Sequence, residues 1–141
     1  MLLKKEMGFT VLSEHGDYIR SVSSREYFSN LPVITGVGAE NAASQATAIL
    51  KVIDKELSKV RGLVFVGQRR WNIIMTSGQI IMLPENNPEQ AMQKILILDK
   101  AEQILSRQIA VFDFRLPSRI TLRVPTANYG QTNSEIIGVR N

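Results

Sequence analysis

The stretch RGLVFVGQRRWNIIMTSGQIIMLP, Arg61 to Pro84, constrains the fold of this chain more than any other. Arg61–Gly67 is β-branched and aromatic, and reads as a strand. Trp71–Met75 and Gln79–Leu83 flank Ser77-Gly78, a hairpin pattern in which Gly78 supplies the positive φ of a tight turn. Pro84, with no N–H to donate, stops the last run. The two hairpin strands are nearly continuous in apolar residues, so both faces of the sheet they build are expected to be covered.

The flanking sequence supplies more strands and two helices. Phe9–Ser13 and Tyr18–Ile19 enclose the turn EHGD and form a second hairpin. Ser21–Asn30 is polar and reads as a loop. Leu31–Thr35 is a short strand, with Pro32 placing it near a sheet edge or at a strand start. Ala42, Ala46, Ile49, Leu50, Ile53, Leu57 and Val60 recur at spacings of three and four, the mark of an amphipathic helix over about Glu40 to Ser58. Asn87-Pro88-Glu89-Gln90 opens a second helix, with Asn as cap, Pro at the first helical position and Gln three residues after the cap. Its stripe is Met92, Ile95, Leu98, Ala101 and Leu105. Ile109–Phe114 and Arg119–Val124 are two final strands around the turn Leu116-Pro117-Ser118. The fold class is therefore α+β, a mainly antiparallel sheet with two amphipathic helices packed on it. The domain is expected to span 1–124, and 125–141, rich in Thr, Asn, Ser and Gly, to form a flexible tail.

A chain of 141 residues is long enough to bury about two-thirds of its unfolded surface without staples. It has no cysteine, which removes disulfides, thiolate metal sites and a Cys nucleophile together. The net charge of +4 favours acidic partners only weakly, because the basic residues are scattered singly and in pairs along the chain. A nucleic-acid role would rest on the salt-dependent electrostatic mode alone. No apolar run approaches the ~20 residues that cross a bilayer. The start, MLLKKEMGFTVL, has its charges after the leucines and does not read as a signal peptide.

Motifs that could carry chemistry are weak. GVGAEN, Gly36–Asn41, resembles the opening of a dinucleotide fingerprint, but Asn41 holds the third glycine position. No parallel strand–helix–strand unit with a terminal acid is expected after it, so it reads as a strand-to-helix turn. His15, the only histidine, lies in a turn beside Glu14 and Asp17, too loosely held for a triad and too poor a set for a metal. Carboxylates are spread singly. Asp113 in VFDFR is expected to face Arg115 or solvent. No catalytic residue, cofactor site or metal site is nominated, and the protein is read as a non-enzyme. Arg69-Arg70-Trp71 holds too few aromatics for a stacking platform, and Trp71 reads as a core residue beneath the hairpin.

With RRWNIIMTSGQIIMLPENNPEQAM followed by RQIAVFDFRLPSRITLRV, the chain resembles the C-terminal β domain of the FtsQ/DivIB bacterial cell-division family, the alphaproteobacterial kind in particular. FTVLSEHGDYI and NLPVITGVGA fit that domain's opening. The resemblance runs from about Phe9 to Val124, and the order and spacing of its pieces are more specific than any one piece. It implies a non-enzymatic divisome scaffold in septum formation. Such proteins carry a cytoplasmic tail, one membrane helix, a POTRA domain and then this domain at the periplasmic face of the inner membrane. Neither the membrane helix nor the POTRA domain is in this stretch, so contact with the membrane is expected only through such a helix. The implied partners are FtsB and FtsL, and other divisome proteins, with no nucleic acid and no small-molecule substrate.

The resemblance implies that FtsB docks along the last strand. Here that strand is expected to be Arg119, Ile120, Thr121, Leu122, Arg123 and Val124, with one unpaired edge open to an incoming strand. Ile120, Leu122 and Val124 would share one face, and Arg119, Thr121 and Arg123 the other. In the preceding turn, Arg115 would pair with an acid of the partner, Leu116 would line an apolar pocket, and Ser118 would make a small polar contact. Arg69 is a second candidate for an anion. The alternative is a basic nucleic-acid-binding domain, which would gather its arginines on one face.

Overall fold

The Arg61–Pro84 stretch folds as three neighbouring antiparallel strands near the middle of one large sheet. The computed structural model describes residues 1–116, 119–125 and 132–138. In chain order the strands are β1 (Leu2–Lys4), β2 (Phe9–Leu12), β3 (Tyr18–Val22), β4 (Val33–Thr35), β5 (Val60–Val66), β6 (Arg70–Met75) and β7 (Ile80–Met82), followed by β8 (Val111–Leu116), β9 (Arg119–Pro125) and β10 (Thr132–Gly138). Helix α1 (Ala43–Val52) joins β4 to β5, and α2 (Pro88–Glu102) joins β7 to β8. The sheet order is β10-β9-β8-β7-β6-β5-β4-β1-β2-β3.

Most pairings are antiparallel, as expected, but β4 runs parallel to both β1 and β5, and β7 parallel to β8. The two helices are thus crossovers between neighbouring parallel strands. β5, β6 and β7 alternate in direction, so β4 and β7 run the same way, and both crossovers step toward β10. The strong right-handed preference of such connections then puts both helices on one face. There they pack against each other over a single core.

The register explains that core. Leu3, Ile34, Leu63, Ile73, Ile81, Phe112 and Leu122 stand opposite one another across successive strands, and all are buried. Ala46, Ile49 and Ile53 from the α1 region and Met92 and Ile95 from α2 cover this row. Each fully buried aliphatic side chain contributes about 1.5–3 kcal/mol relative to exposure. Trp71 is fully buried here. It lies against Phe65 at 4.7 Å between ring centroids, and its indole N–H donates to Gln45 Oε1 on α1 at 3.1 Å.

The expectation that both faces are covered is corrected. Val33, Val64, Ile74, Ile80, Met82 and Val111 alternate with the core row and are only half-buried, outside the core cluster. Their apolar character reflects neighbouring side chains on the sheet, not a second layer of helices.

Other departures are local. β1 inserts between β2 and β4, and three residues were too short a run to read. α1 covers only Ala43–Val52 of the expected Glu40–Ser58, with 3₁₀ turns at Ala39–Ala42 and Asp54–Lys59. Asn87 precedes α2 as expected, but its side chain makes no cap bond. Its φ is +51° and its carbonyl accepts from Gln90 and Ala91. Gly78 has φ +91° with nothing crowding its Cβ direction, so the turn alone demands glycine there. Between β4 and α1, GVGAEN does stand in a parallel strand–helix–strand unit, contrary to expectation. Gly36, at φ +116°, lies so close to the Phe65 backbone that a Cβ would stand 2.3 Å from its carbonyl oxygen. The glycine serves chain packing.

The largest correction is at the C-terminus. Within the span expected to be a tail, Thr132–Gly138 forms β10 and pairs antiparallel with β9 from Thr132↔Pro125 to Gly138↔Arg119. β9 is therefore not an edge strand. The rest of that span, 126–131 and 139–141, and the turn residues Pro117 and Ser118 lie outside the described residues.

Candidate functional site

The alternation of β8 divides VFDFRL between two environments. Phe112 and Phe114 turn to the helix side, where their rings stack at 6.5 Å. Asp113 and Arg115 are consequently placed on the open face. Asp113 is nevertheless only 9 % exposed, because arginines cover it. Its Oδ1 accepts from the Arg115 backbone N–H at 3.1 Å and from Arg115 Nε at 2.8 Å. Oδ2 accepts from Arg115 Nη2 at 2.6 Å, and Arg123 Nη2 stands 3.7 Å away.

A buried carboxylate without partners would be costly. Burial does push Asp113 up, but the bonds and charge of Arg115 and the charge of Arg123 outweigh it and hold the carboxyl below its ordinary range. Arg115 is held the other way, above its ordinary value, by the same bonds. Arg70 reaches this face because Trp71 faces the core. It donates to Asn72 Oδ1 at 2.7 Å, and burial, then the charge of Arg115, lowers its pKa.

Asp113, Arg115, Leu116, Arg119 and Thr121 line a concavity of about 260 Å³. Leu116 is 61 % exposed at its rim. The site therefore combines an exposed aliphatic side chain with a cationic wall whose internal carboxylate is already neutralised. It suits an apolar group with an anion close by.

The nominated residues fall into three groups. Arg115, Leu116, Arg119 and Thr121 meet around the concavity, and Arg123 reaches Asp113 beside it. Ile120 and Leu122 are buried in the helix-side core and present no side chain to a partner. Val124 is half-buried further along β9, and Arg69 is exposed in the turn before β6. Ser118 lies outside the described residues. Arg115 commits Nε and Nη2 to Asp113. Nη1 remains for a partner. Sequence reading missed Arg70, although strand alternation from Trp71 carried the signal. His15 sits in its exposed turn, 3.4 Å from Glu14.

Among the described residues, no helix is long and apolar enough to cross a membrane. The family described as "Cell division protein FtsQ/DivIB, C-terminal" matches residues 1–115. "Cell division protein FtsQ" of Dinoroseobacter shibae is 36% identical over 114 residues, 81% of this chain and 38% of the relative. The protein of the same name from Paracoccus denitrificans is 36% identical over 124 residues, 88% of this chain and 36% of its own length. That of Jannaschia sp. is 34% identical over 120 residues, 85% of this chain and 39% of the relative. The chain thus spans little more than a third of the length of these relatives. The family match ends at Arg115, so Leu116 and β9 lie beyond it.

Proposed function

The chain belongs to the FtsQ/DivIB cell-division family, and from that premise we propose that it is a non-enzymatic docking module of the divisome, which binds FtsB, together with FtsL, at the β8–β9 end of its sheet. Its place of action is the periplasmic face of the inner membrane at the septum, alongside other divisome proteins. The observation that carries this reading is the exposed Leu116 beside a concavity walled by Arg115 and Arg119. An apolar side chain of the partner fills the rim over Leu116, and a partner carboxylate meets Arg119 and Nη1 of Arg115. Arg69 extends the cationic surface from the turn before β6.

The test is a titration of the domain with a peptide from the C-terminal region of the same organism's FtsB, repeated on Leu116→Asp. Leu116 is exposed, so the variant keeps its fold while the new carboxylate disfavours both the apolar contact and the partner's anion. Unchanged binding by the folded variant sinks this location of the site.

The gathering of Arg70, Arg115 and Arg123 on one face also meets the condition for the alternative, a nucleic-acid-binding surface. Salt separates the two. Nucleic-acid binding falls steeply and linearly in log–log form with salt, whereas a largely apolar peptide contact responds weakly.

A further inference from the structure

The docking surface described above ends at β9, yet the backbone edge of β9 is already filled by the chain itself. β9 is held from its other side by β8 and from below by the buried Ile120 and Leu122. These contacts of β9 do not involve β10. Among the described residues β10 is the terminal strand of the sheet and pairs with β9 alone. Its sequence, TNSEIIG, is a mediocre strand former, since Asn, Ser, Glu and Gly are disfavoured or indifferent in strands and Thr132, Ile136 and Ile137 favour them.

On the reading given under Proposed function, we infer that β10 is an intramolecular stand-in for the partner's strand, covering the β9 edge until the partner displaces it. The register states what the displacing segment must be. It is extended, runs antiparallel to β9, and spans up to the seven positions from Pro125 to Arg119. Its C-terminal end arrives at Arg119, beside the concavity of Arg115 and Leu116. An acidic residue at or just after that end meets the arginines there.

Six residues, 126–131, join β9 to β10. A short tether of this kind gives its own strand an effective concentration in the millimolar range. A competitor offering only backbone hydrogen bonds therefore loses to β10. A competitor that also engages Leu116 and Arg119 wins. The covered edge so excludes strands that lack those side chains.

The experiment uses the full chain in three forms. In the first, Glu135→Pro and Ile136→Pro are combined. Alternate residues of an antiparallel strand direct their N–H to a given neighbour, so two consecutive prolines remove a β9 bond whichever register holds. In the second, Val124→Cys and Asn133→Cys, a register pair, are oxidised to lock β10 down. The third is the same double-cysteine chain reduced. Each is titrated with the FtsB C-terminal peptide beside the unaltered chain.

An edge open about one-tenth of the time weakens apparent binding about tenfold. The proline form is expected to bind about tenfold tighter than the unaltered chain, the oxidised form not to bind, and the reduced form to recover. Equal affinity for all forms overturns the exchange while leaving the docking reading intact, with the partner held by the Leu116 and Arg119 concavity and not by the β9 backbone edge. Absence of binding by every folded form overturns both.

Discussion

The two faces of this sheet are built from the same strands and obey different rules. On the helix side, Leu63, Ile73, Ile81, Phe112 and Leu122 form one apolar row under α1 and α2. On the open side the same strands present Val64, Ile74 and Met82 half-buried, then Asp113, Arg115 and Arg123 toward the β9 end. Adjacent residues of β8, Phe112 and Asp113, belong to opposite faces. The helix face carries the stability. The open face is stabilised by one ion cluster and is otherwise available for recognition.

The largest effect that would break this division is on the helix face. Phe112→Ala is expected to destabilise by about 3–5 kcal/mol, through lost burial and a cavity beneath the helices. A denaturant midpoint close to that of the unaltered protein would show that the Phe112 row is not the core.

The next is Asp113, the one open-face residue given a structural role. Asp113→Ala leaves Arg115 without its charged acceptor and is expected to cost about 1–3 kcal/mol. The pH dependence of Asp113→Asn sharpens the point. The folded carboxyl of Asp113 lies below its unfolded value of about 3.9, so its stabilisation is complete above that value and is lost as pH falls through the depressed one. The advantage of the unaltered protein over Asp113→Asn, read as melting temperature, should be full at pH 7 and shrink progressively below about pH 4. An advantage that is unchanged at pH 3 would mean that the Asp113–Arg115 bonds do not stabilise the fold.

Leu116→Asp should separate the faces completely. Stability stays within about 0.5 kcal/mol, as for an exposed site without special contacts, while binding of the FtsB peptide is lost. The smallest effect is expected at Ile97, which is 70 % exposed on the outer side of α2. Ile97→Lys should change stability by no more than about 0.5 kcal/mol and leave peptide binding untouched. Loss of peptide binding there would relocate the docking surface to the helices.

Much of this was legible in the sequence because it is local. The 3.6 periodicity marks α1 and α2, β-branched and apolar runs mark the central strands, and Ser77-Gly78 marks the β6–β7 turn. Trp71 reads as core, and of the two expectations for Asp113, Arg115 or solvent, the structure selects Arg115. The ends were less legible. Leu2–Lys4 is too short for a period, and TNSEIIG is too polar to signal a strand, so β10 was read as part of a tail. Backbone pairing, which has no side-chain signature, decided both.

The sequence by itself determined which residues form strands and helices, that no thiol chemistry is present, and the family likeness. Only the tertiary structure decided where the charges meet. Arg70, Arg115 and Arg123 look scattered along the chain, yet the β6–β7 hairpin, the α2 crossover and the β8–β9 pairing set their strands a few positions apart on one face around Asp113. Only the tertiary structure, too, put a strand on β9. Sequence periodicity reports which way a side chain points, while strand neighbours are chosen by hydrogen bonds between segments far apart in the chain.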